Sequence, residues 1–247
     1  MANWIVTGGS SGIGAQLVDD LLKAGEEVHI WDRHPPQNEN GAKYQQVDLC
    51  KTEQLQQAAA LFDFPLNAFV HCAGTGVASG IGHPGLADHM RLAFELHTVS
   101  FVVSVQMLLN QLIRGKGSVI GIASAAMDVV YPGTLAYGAS KAALRRSITQ
   151  LAVELGGIGI RVNGVAPGAI ATPLTAPTWA DPDFAAKRLT TIPLGVQGRP
   201  ESISSLVRYL ASDQAQYITG ETINVDGGVR HGIFNHAVRA AGKASSH

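Results

Sequence analysis

Two cysteines, Cys50 and Cys72, are all that the 247 residues contain, and they form no C-x-x-C pair. That excludes a disulfide framework and fits a reducing compartment, so a cytoplasmic location is expected. Charge is scarce as well: charged residues make up 15%, the formal net charge is −1, and no long basic run occurs. Nucleic acid is therefore not the expected partner. No apolar stretch is long enough to span a bilayer and no N-terminal signal pattern is present, so no membrane partner is expected either. Nine histidines show neither an H-E-x-x-H pattern nor a His/Cys cluster, which argues against a metal. What the chain has is apolar content, 46%, enough for a sizeable core.

Asn3 to Thr7 is a short β-prone run followed at once by Gly8-Gly9-Ser10-Ser11-Gly12-Ile13-Gly14, then by an apolar-periodic helix through Ala24. Strand, glycine-rich turn and helix is the context of a dinucleotide-phosphate loop. Glycines let the backbone turn tightly and approach a pyrophosphate, whose charge meets the free N–H groups at the helix start. The spacing is T-G-x-x-x-G-x-G rather than G-x-G-x-x-G, and a plain glycine turn fits the same residues. Glu27 to Trp31 reads as a second strand ending at Asp32. An acidic residue there can accept hydrogen bonds from a ribose hydroxyl and repels a 2′-phosphate, which favours NAD over NADP. Arg33 beside it could pair with such a phosphate, so NADP stays open.

Further along, strands are expected at Tyr44 to Val47, Ala68 to Cys72, Ser118 to Ala123, Ile160 to Ala166 and Thr222 to Val225. Helices are expected from Thr52, a plausible N-cap, to about Phe62, from Leu86 to about Leu112, and from Glu201 to Ala211. Another carries Tyr137 and Lys141 and runs through Leu155 to the Gly156-Gly157 stop. With no repeat or low-complexity linker, alternating strands and helices imply one α/β domain, a doubly wound parallel sheet flanked by helices on both faces. Residues Thr172 to Leu194 hold four prolines and little periodicity, and read as a mobile lid with one short helix around Phe184 to Leu189.

Tyr137 and Lys141 are four apart, hence one turn apart on one helix face, and Ser124 lies thirteen residues before Tyr137 at a strand end. A strand end facing that helix would bring hydroxyl, phenol and ammonium together. A free phenol has a pKa of roughly 10, and a neighbouring ammonium favours the phenolate. Such a tyrosine could exchange a proton with an alcohol or carbonyl oxygen while Ser124 hydrogen-bonds the same oxygen. Taken alone, Y-x-x-x-K equally describes a solvated helix face.

Taken in order, these pieces resemble the short-chain dehydrogenase/reductase family along nearly the whole chain. TGGSSGIG at Thr7 to Gly14 looks like its cofactor loop, and HCAG at His71 to Gly74 looks like its N-N-A-G element with both asparagines changed. Ser124, Tyr137 and Lys141 fall on its catalytic serine and Y-x-x-x-K pair; RVNGVAPG at Arg161 to Gly168 and IATP at Ile170 to Pro173 match two further segments. The resemblance implies a Rossmann-type fold in which Tyr137 is the acid/base and Lys141 lowers its pKa and holds the nicotinamide ribose. Ser124 would polarise the substrate oxygen. Gly8, Ser10, Ser11, Gly12, Ile13 and Gly14 would hold the pyrophosphate, Asp32 the adenosine ribose, and Asp48 with Leu49 the adenine. Ala73 and Gly74 would let the cofactor lie close, and Pro167, Gly168, Ile170 and Thr172 would line its nicotinamide side. It also implies a homotetramer built on the Leu86–Leu112 and Leu135–Leu155 helices.

One departure stands out: His97 falls where the family carries a catalytic asparagine, thought to position a water in a proton relay to the lysine. If the backbone carbonyl does the holding, His97 substitutes without loss; if the side chain matters, the optimum pH shifts, because imidazole titrates near neutrality. A working relay is expected, with a packed helix residue as the alternative. Leu174, Trp179, Phe184 and Leu189 in the lid, with Met127, Val130 and Tyr131, suggest an apolar pocket for a secondary alcohol or ketone. Lys187 and Arg188 could instead grip a carboxylate, as a dihydrodiol-acid dehydrogenase needs. A 3-oxoacyl thioester reductase would prefer NADPH, against Asp32, and a non-catalytic dinucleotide sensor would keep the loop alone. The tail from Arg230 to His247 runs past the usual family end.

Overall fold

Successive residues of the first strand, β1 (Asn3–Thr7), bury themselves on opposite sides, Ile5 in one apolar cluster and Trp4 and Val6 in the other. A strand buried on both faces needs layers above and below it, as in parallel sheets. The computed structural model describes residues 1–37, 41–77 and 79–234, so most of the expected C-terminal extension lies outside the described residues. The other strands are β2 (Glu27–Asp32), β3 (Lys43–Gln46), β4 (Ala68–His71), β5 (Ser118–Ile122), β6 (Arg161–Pro167) and β7 (Thr222–Val225). They form one parallel sheet in the order β3-β2-β1-β4-β5-β6-β7, a doubly wound Rossmann-type fold. The strand order reverses between β1 and β4, and the crevice at the carboxyl ends of these parallel strands is where such sheets bind ligands.

Helices α1 (Gly12–Lys23) and α9 (Pro200–Ala211) cover one face with Leu17, Val18, Ile203 and Val207. On the other face lie α2 (Thr52–Leu61), α4 (Ser100–Met107) and α6 (Leu135–Gly156), which bury Leu55, Phe101, Leu144 and Ile148. Strand ends shift by a residue from expectation; β3, for example, begins at Lys43, opposite His29 of β2. Thr52 is not a cap. Lys51 holds the N-cap position with no side-chain bond, while the Gln54 side chain reaches back to accept from the Asp48 N–H at 2.7 Å.

Two larger differences bear on the site. The single helix expected from Leu86 to Leu112 is broken into α3 (Leu86–Phe94), a π turn over Glu95–Val99, α4, and α5 (Leu109–Gly115), with a 63° bend at Leu108. Apolar spacing is blind to this, because a π turn inserts one residue without changing composition. The lid carries two helices rather than one, α7 (Ala176–Trp179) and α8 (Pro182–Thr191). Its prolines start these helices instead of breaking them: Pro177 and Pro182 sit in first turns, where the missing N–H costs nothing. The Asp181 carboxylate completes the start of α8 by accepting from the Asp183 and Phe184 N–H groups.

Candidate active site

A cavity of about 400 Å³ opens along the carboxyl ends of β1, β2, β4, β5 and β6. At its β1 end, Gly8 has φ +66°, and a Cβ there would stand 2.7 Å from the Ala73 backbone, so only glycine fits. A Cβ on Gly14 would collide with the Gly8 carbonyl. Gly8, Ser11, Gly12, Ile13 and Gly14 all line the cavity, and Ser11, at the N-cap of α1, makes no side-chain capping bond. The positive end of α1 is thus left for an anion. Ser10 lies off the wall and works as a tie: its N–H donates to Asp32 Oδ2 at 3.2 Å and its hydroxyl to the His34 carbonyl at 2.6 Å.

Asp32 faces the cavity with its carboxylate fixed from two sides, Oδ1 also accepting from the His34 N–H at 3.1 Å. Asp48 and Leu49 line the same end; Asp48 Oδ1 accepts from the Cys50 N–H. Ala73 and Gly74, from the loop after β4, form the middle of the wall. Pro167, Gly168, Ile170 and Thr172 close the far end, and a side chain on Gly168 would run into Asp226, 2.6 Å away at its Cα.

Ser124, Tyr137 and Lys141 reach the cavity together. Ser124 follows β5 in extended conformation, its Oγ accepting from the Ala126 N–H at 3.1 Å. Burial pushes the Tyr137 pKa up, and the hydrogen bond from Ser124 opposes that rise. Lys141 is 4% exposed; its Nζ donates to the Ile122 carbonyl at 2.7 Å and lies 5.9 Å from the Tyr137 ring centre. Desolvation lowers the Lys141 pKa to about 8, and burial pushes the pKa of the nearby Cys72 thiol up to about 12, which keeps it neutral beside the ammonium. The sequence expectation had Lys141 lowering the Tyr137 pKa; in this structure the ammonium serves Ile122, and Ser124 provides the stabilising contact.

His97 does not reach the cavity. It is fully buried behind Gly74, with Nε2 accepting from the Thr75 N–H at 2.9 Å and Nδ1 2.8 Å from Ser140 Oγ. Desolvation, then the Lys141 and His71 charges, lower its pKa to about 2, so the expected imidazole titrating near neutrality is absent. His71 is equally buried. Its Nε2 lies 3.1 Å from the Leu96 carbonyl, which can only accept, so Nδ1 accepts from the Thr7 hydroxyl at 3.0 Å. The Thr7 oxygen in turn accepts from the Ala73 N–H at 3.3 Å. Two histidines standing where the family has asparagines thus tie β1, β4 and the π turn together.

Of the side chains expected to make an apolar pocket, Leu174 of the lid lines the cavity; Trp179, Phe184 and Leu189 of the lid and Met127, Val130 and Tyr131 of the loop after Ser124 do not. Arg188 of α8 lies between two rings, 5.5 Å from the Tyr131 centre and 5.7 Å from that of Trp179, and no carboxylate among the described residues forms an ion pair with it. Burial raises the Tyr131 pKa, Arg188 opposing and Asp226 adding to the rise. Sequence reasoning missed Thr75, which acts through its backbone N–H and so leaves no side-chain signal. It also missed Leu92 and Leu96, an i, i+4 pair whose cavity-facing role looks like ordinary helix packing. Ser140, the residue before Lys141, was legible only as a small spacer. Among the described residues, no group of three or more His, Cys, Asp or Glu side chains could hold a metal ion.

Residues 8–230 match the family model described as enoyl-(acyl carrier protein) reductase. A 3β-hydroxysteroid dehydrogenase of Eggerthella lenta is 32% identical over 244 residues, covering 91% of this chain and 92% of that protein. Among solved structures, the RhlG/NADP active-site complex of Pseudomonas aeruginosa aligns with a TM-score of 0.85 at 30% identity, over 93% of this chain and 96% of that one. A 4-hydroxyisoleucine dehydrogenase complexed with NADH aligns at 0.86 and 27% identity, over 93% and 98%. On these matches the chain belongs to the short-chain dehydrogenase/reductase family of oxidoreductases.

Proposed function

We propose that this protein is an NAD-dependent oxidoreductase that interconverts a secondary alcohol and a ketone. The observation that carries the reading is the meeting of Ser124, Tyr137 and Lys141 on the wall of the cavity that also receives the uncapped start of α1. A dinucleotide fits that wall: Gly8 and Gly14 leave no room for side chains, the α1 N–H groups suit a pyrophosphate, and Asp32 suits a ribose diol. When bound, it supplies the hydride acceptor for oxidation and the hydride donor for reduction. Ser124 would hold the substrate oxygen by a hydrogen bond. In oxidation, the Tyr137 phenolate would take the hydroxyl proton; in reduction, the phenol would give it back to the forming alkoxide. Lys141, anchored by its bond to the Ile122 carbonyl, would hold the nicotinamide ribose, as the family resemblance implies.

The steroid dehydrogenase relative supports an alcohol on a sizeable apolar body. Asp32 supports NAD, although the solved neighbours include both an NADH and an NADP complex. A second reading, favoured by Arg188, is a substrate that carries a carboxylate, such as a hydroxy acid or a dihydrodiol acid. A half-buried guanidinium with no ion-pair partner among the described residues is a receptor for a planar anion. The same proposal includes a homotetramer, supported by exposed Leu92, Val99 and Val153 on the helices expected to assemble it, and a cytoplasmic location, supported by two free cysteines.

The test is an initial-rate screen of wild type and Tyr137→Phe with NAD⁺ and NADP⁺ against aliphatic, cyclic and steroidal secondary alcohols and a dihydrodiol. Turnover with NAD⁺ is expected, falling by roughly 10²–10⁴ in the variant. A preference for NADP⁺ overturns the assignment of Asp32. Cofactor binding without turnover of any alcohol points to a dinucleotide sensor.

A further inference from the structure

A backbone N–H can only donate, so the bond from Thr75 fixes His97 Nε2 as the unprotonated ring nitrogen. The proton therefore sits on Nδ1 and is donated to Ser140 Oγ. Ser140 passes its own hydrogen to the Tyr137 carbonyl at 2.8 Å, one turn back on α6. The direction of all three bonds is thus set, and protonating Nε2 would break the first of them. Thr98, the next residue of the π turn, adds a hydroxyl bond to the Ser140 carbonyl at 3.0 Å. The ring meets Tyr137 edge-on with centres 5.6 Å apart, and a Cβ on Gly74 would come within 3.3 Å of Nε2. Glycine at 74 is what lets the imidazole lie against the loop.

We propose that His97 is a positioning residue, holding the Gly74–Thr75 loop and the Tyr137–Lys141 turn in one register through two opposed hydrogen bonds, and relaying no proton itself. The inference rests on Tyr137 being the acid/base, as read above. Three features support it. The ring joins segments 22 and 43 residues away in sequence, and both carry cavity-lining residues, Gly74 and Thr75 on one side, Tyr137 and Lys141 on the other. The groups that face it electrically are the Lys141 ammonium from α6, which opposes a positive imidazole, and His71 from β4, which its own burial keeps neutral. Finally, the π turn itself places the ring, since a π turn widens a helix by one residue and redirects the side chains in it. A side-chain relay needs a ring nitrogen open to water. Here neither is.

Asparagine places its amide near the Nδ1 position of histidine, and glutamine places its own near Nε2. The two substitutions therefore cut the bridge at different ends. His97→Asn keeps a donor to Ser140 and abandons the Thr75 N–H; about a tenfold rise in KM for the dinucleotide is expected, with kcat within about threefold of wild type. His97→Gln keeps an acceptor for Thr75 and abandons Ser140; about a tenfold fall in kcat is expected, with KM nearly unchanged. Ser140→Ala should resemble His97→Gln and stands in for it if that variant fails to fold. The pH dependence of kcat/KM should keep its limbs in place in every variant. Should His97→Asn shift a limb by a unit or more, or should both variants lose the same kinetic parameter equally, the proposal is overturned. If wild type turns over no alcohol, the Tyr137 reading has failed, and the loop half is read by NADH titration: His97→Asn should weaken binding about tenfold and His97→Gln should not, with equal affinities sinking it.

Discussion

Between Thr7 and Lys141 the site is held by polar groups cut off from water, whereas the segment from Thr172 to Leu194 carries two helices, α7 and α8, that bury none of their residues. In the floor, Thr7, His71, His97, Ser140 and Lys141 are each at most 4% exposed, and every one has a hydrogen-bond partner. In the lid, Leu174, Phe184 and Leu194 are 56%, 44% and 72% exposed. The contrast matches the roles proposed for each part. Proton transfer tolerates little displacement, so its groups sit on packed elements with their rotamers fixed by neighbours. A cover that admits a substrate must open at low cost, and few buried contacts provide that.

The largest expected effect breaks the floor directly. Gly14→Ala puts a methyl into the Gly8 carbonyl, so the loop must move. A loss of about 1–3 kcal/mol in urea unfolding is expected from such overpacking, together with undetectable NADH binding. Leu194→Ala, on the exposed side of the comparison, should stay within about 0.5 kcal/mol and bind NADH normally. Equal losses in the two variants would mean that floor and lid are not separate regimes.

The floor was also the legible part. Gly8 to Gly14 announced a tight backbone turn because only glycine tolerates the required φ and proximity, and Tyr137 with Lys141 announced one helix face because their spacing matches a turn. The lid misled, because proline is ambiguous: the same Pro177 and Pro182 that end a helix inside it can begin one at its first turn, and the deciding cap is the Asp181 side chain. His97 misled for another reason. Its protonation is set by residues 22 and 43 positions away, and local sequence carries no record of which contacts close. Read alone, a histidine titrates near neutrality; surrounded by Thr75, Ser140 and Lys141, it does not.

The second prediction uses pH to separate the same two regions. His71 and His97 have folded pKa values lowered to about 3 and about 2 by burial, against roughly 6.5 when unfolded. Between those values the unfolded chain binds more protons, so stability is complete above about pH 6.5 and falls as pH drops below it. From pH 6.5 to 5, each histidine should withdraw up to about 2 kcal/mol. His29, half-buried beside Phe62, adds a smaller term of the same sign. Urea midpoints across that range should fall in wild type, and His71→Asn should roughly halve the slope. An unchanged slope would show that His71 becomes protonated without unfolding the floor.

The smallest effect on stability, and the one that sharpens the comparison most, lies in the lid. Arg188 stacks between Tyr131 and Trp179 and has no ion-pair partner among the described residues. Stacked cations near the surface contribute about 0.5–1 kcal/mol, so Arg188→Gln should barely move the unfolding midpoint. Its effect belongs in selectivity. If the guanidinium receives a substrate carboxylate, kcat/KM for a hydroxy acid should fall about tenfold or more in Arg188→Gln, while that for its methyl ester stays level. Arg188→Lys should recover only part of the acid rate, because an ammonium keeps the charge and loses the planar fork. Tyr137→Phe, by contrast, should lower acid and ester together, since the proton transferred is the same in both. Acid and ester falling in parallel in Arg188→Gln would make the stack a latch between α8 and the Tyr131 loop. The carboxylate reading would then fall, leaving recognition to the apolar wall around Leu92, Leu96 and Leu174.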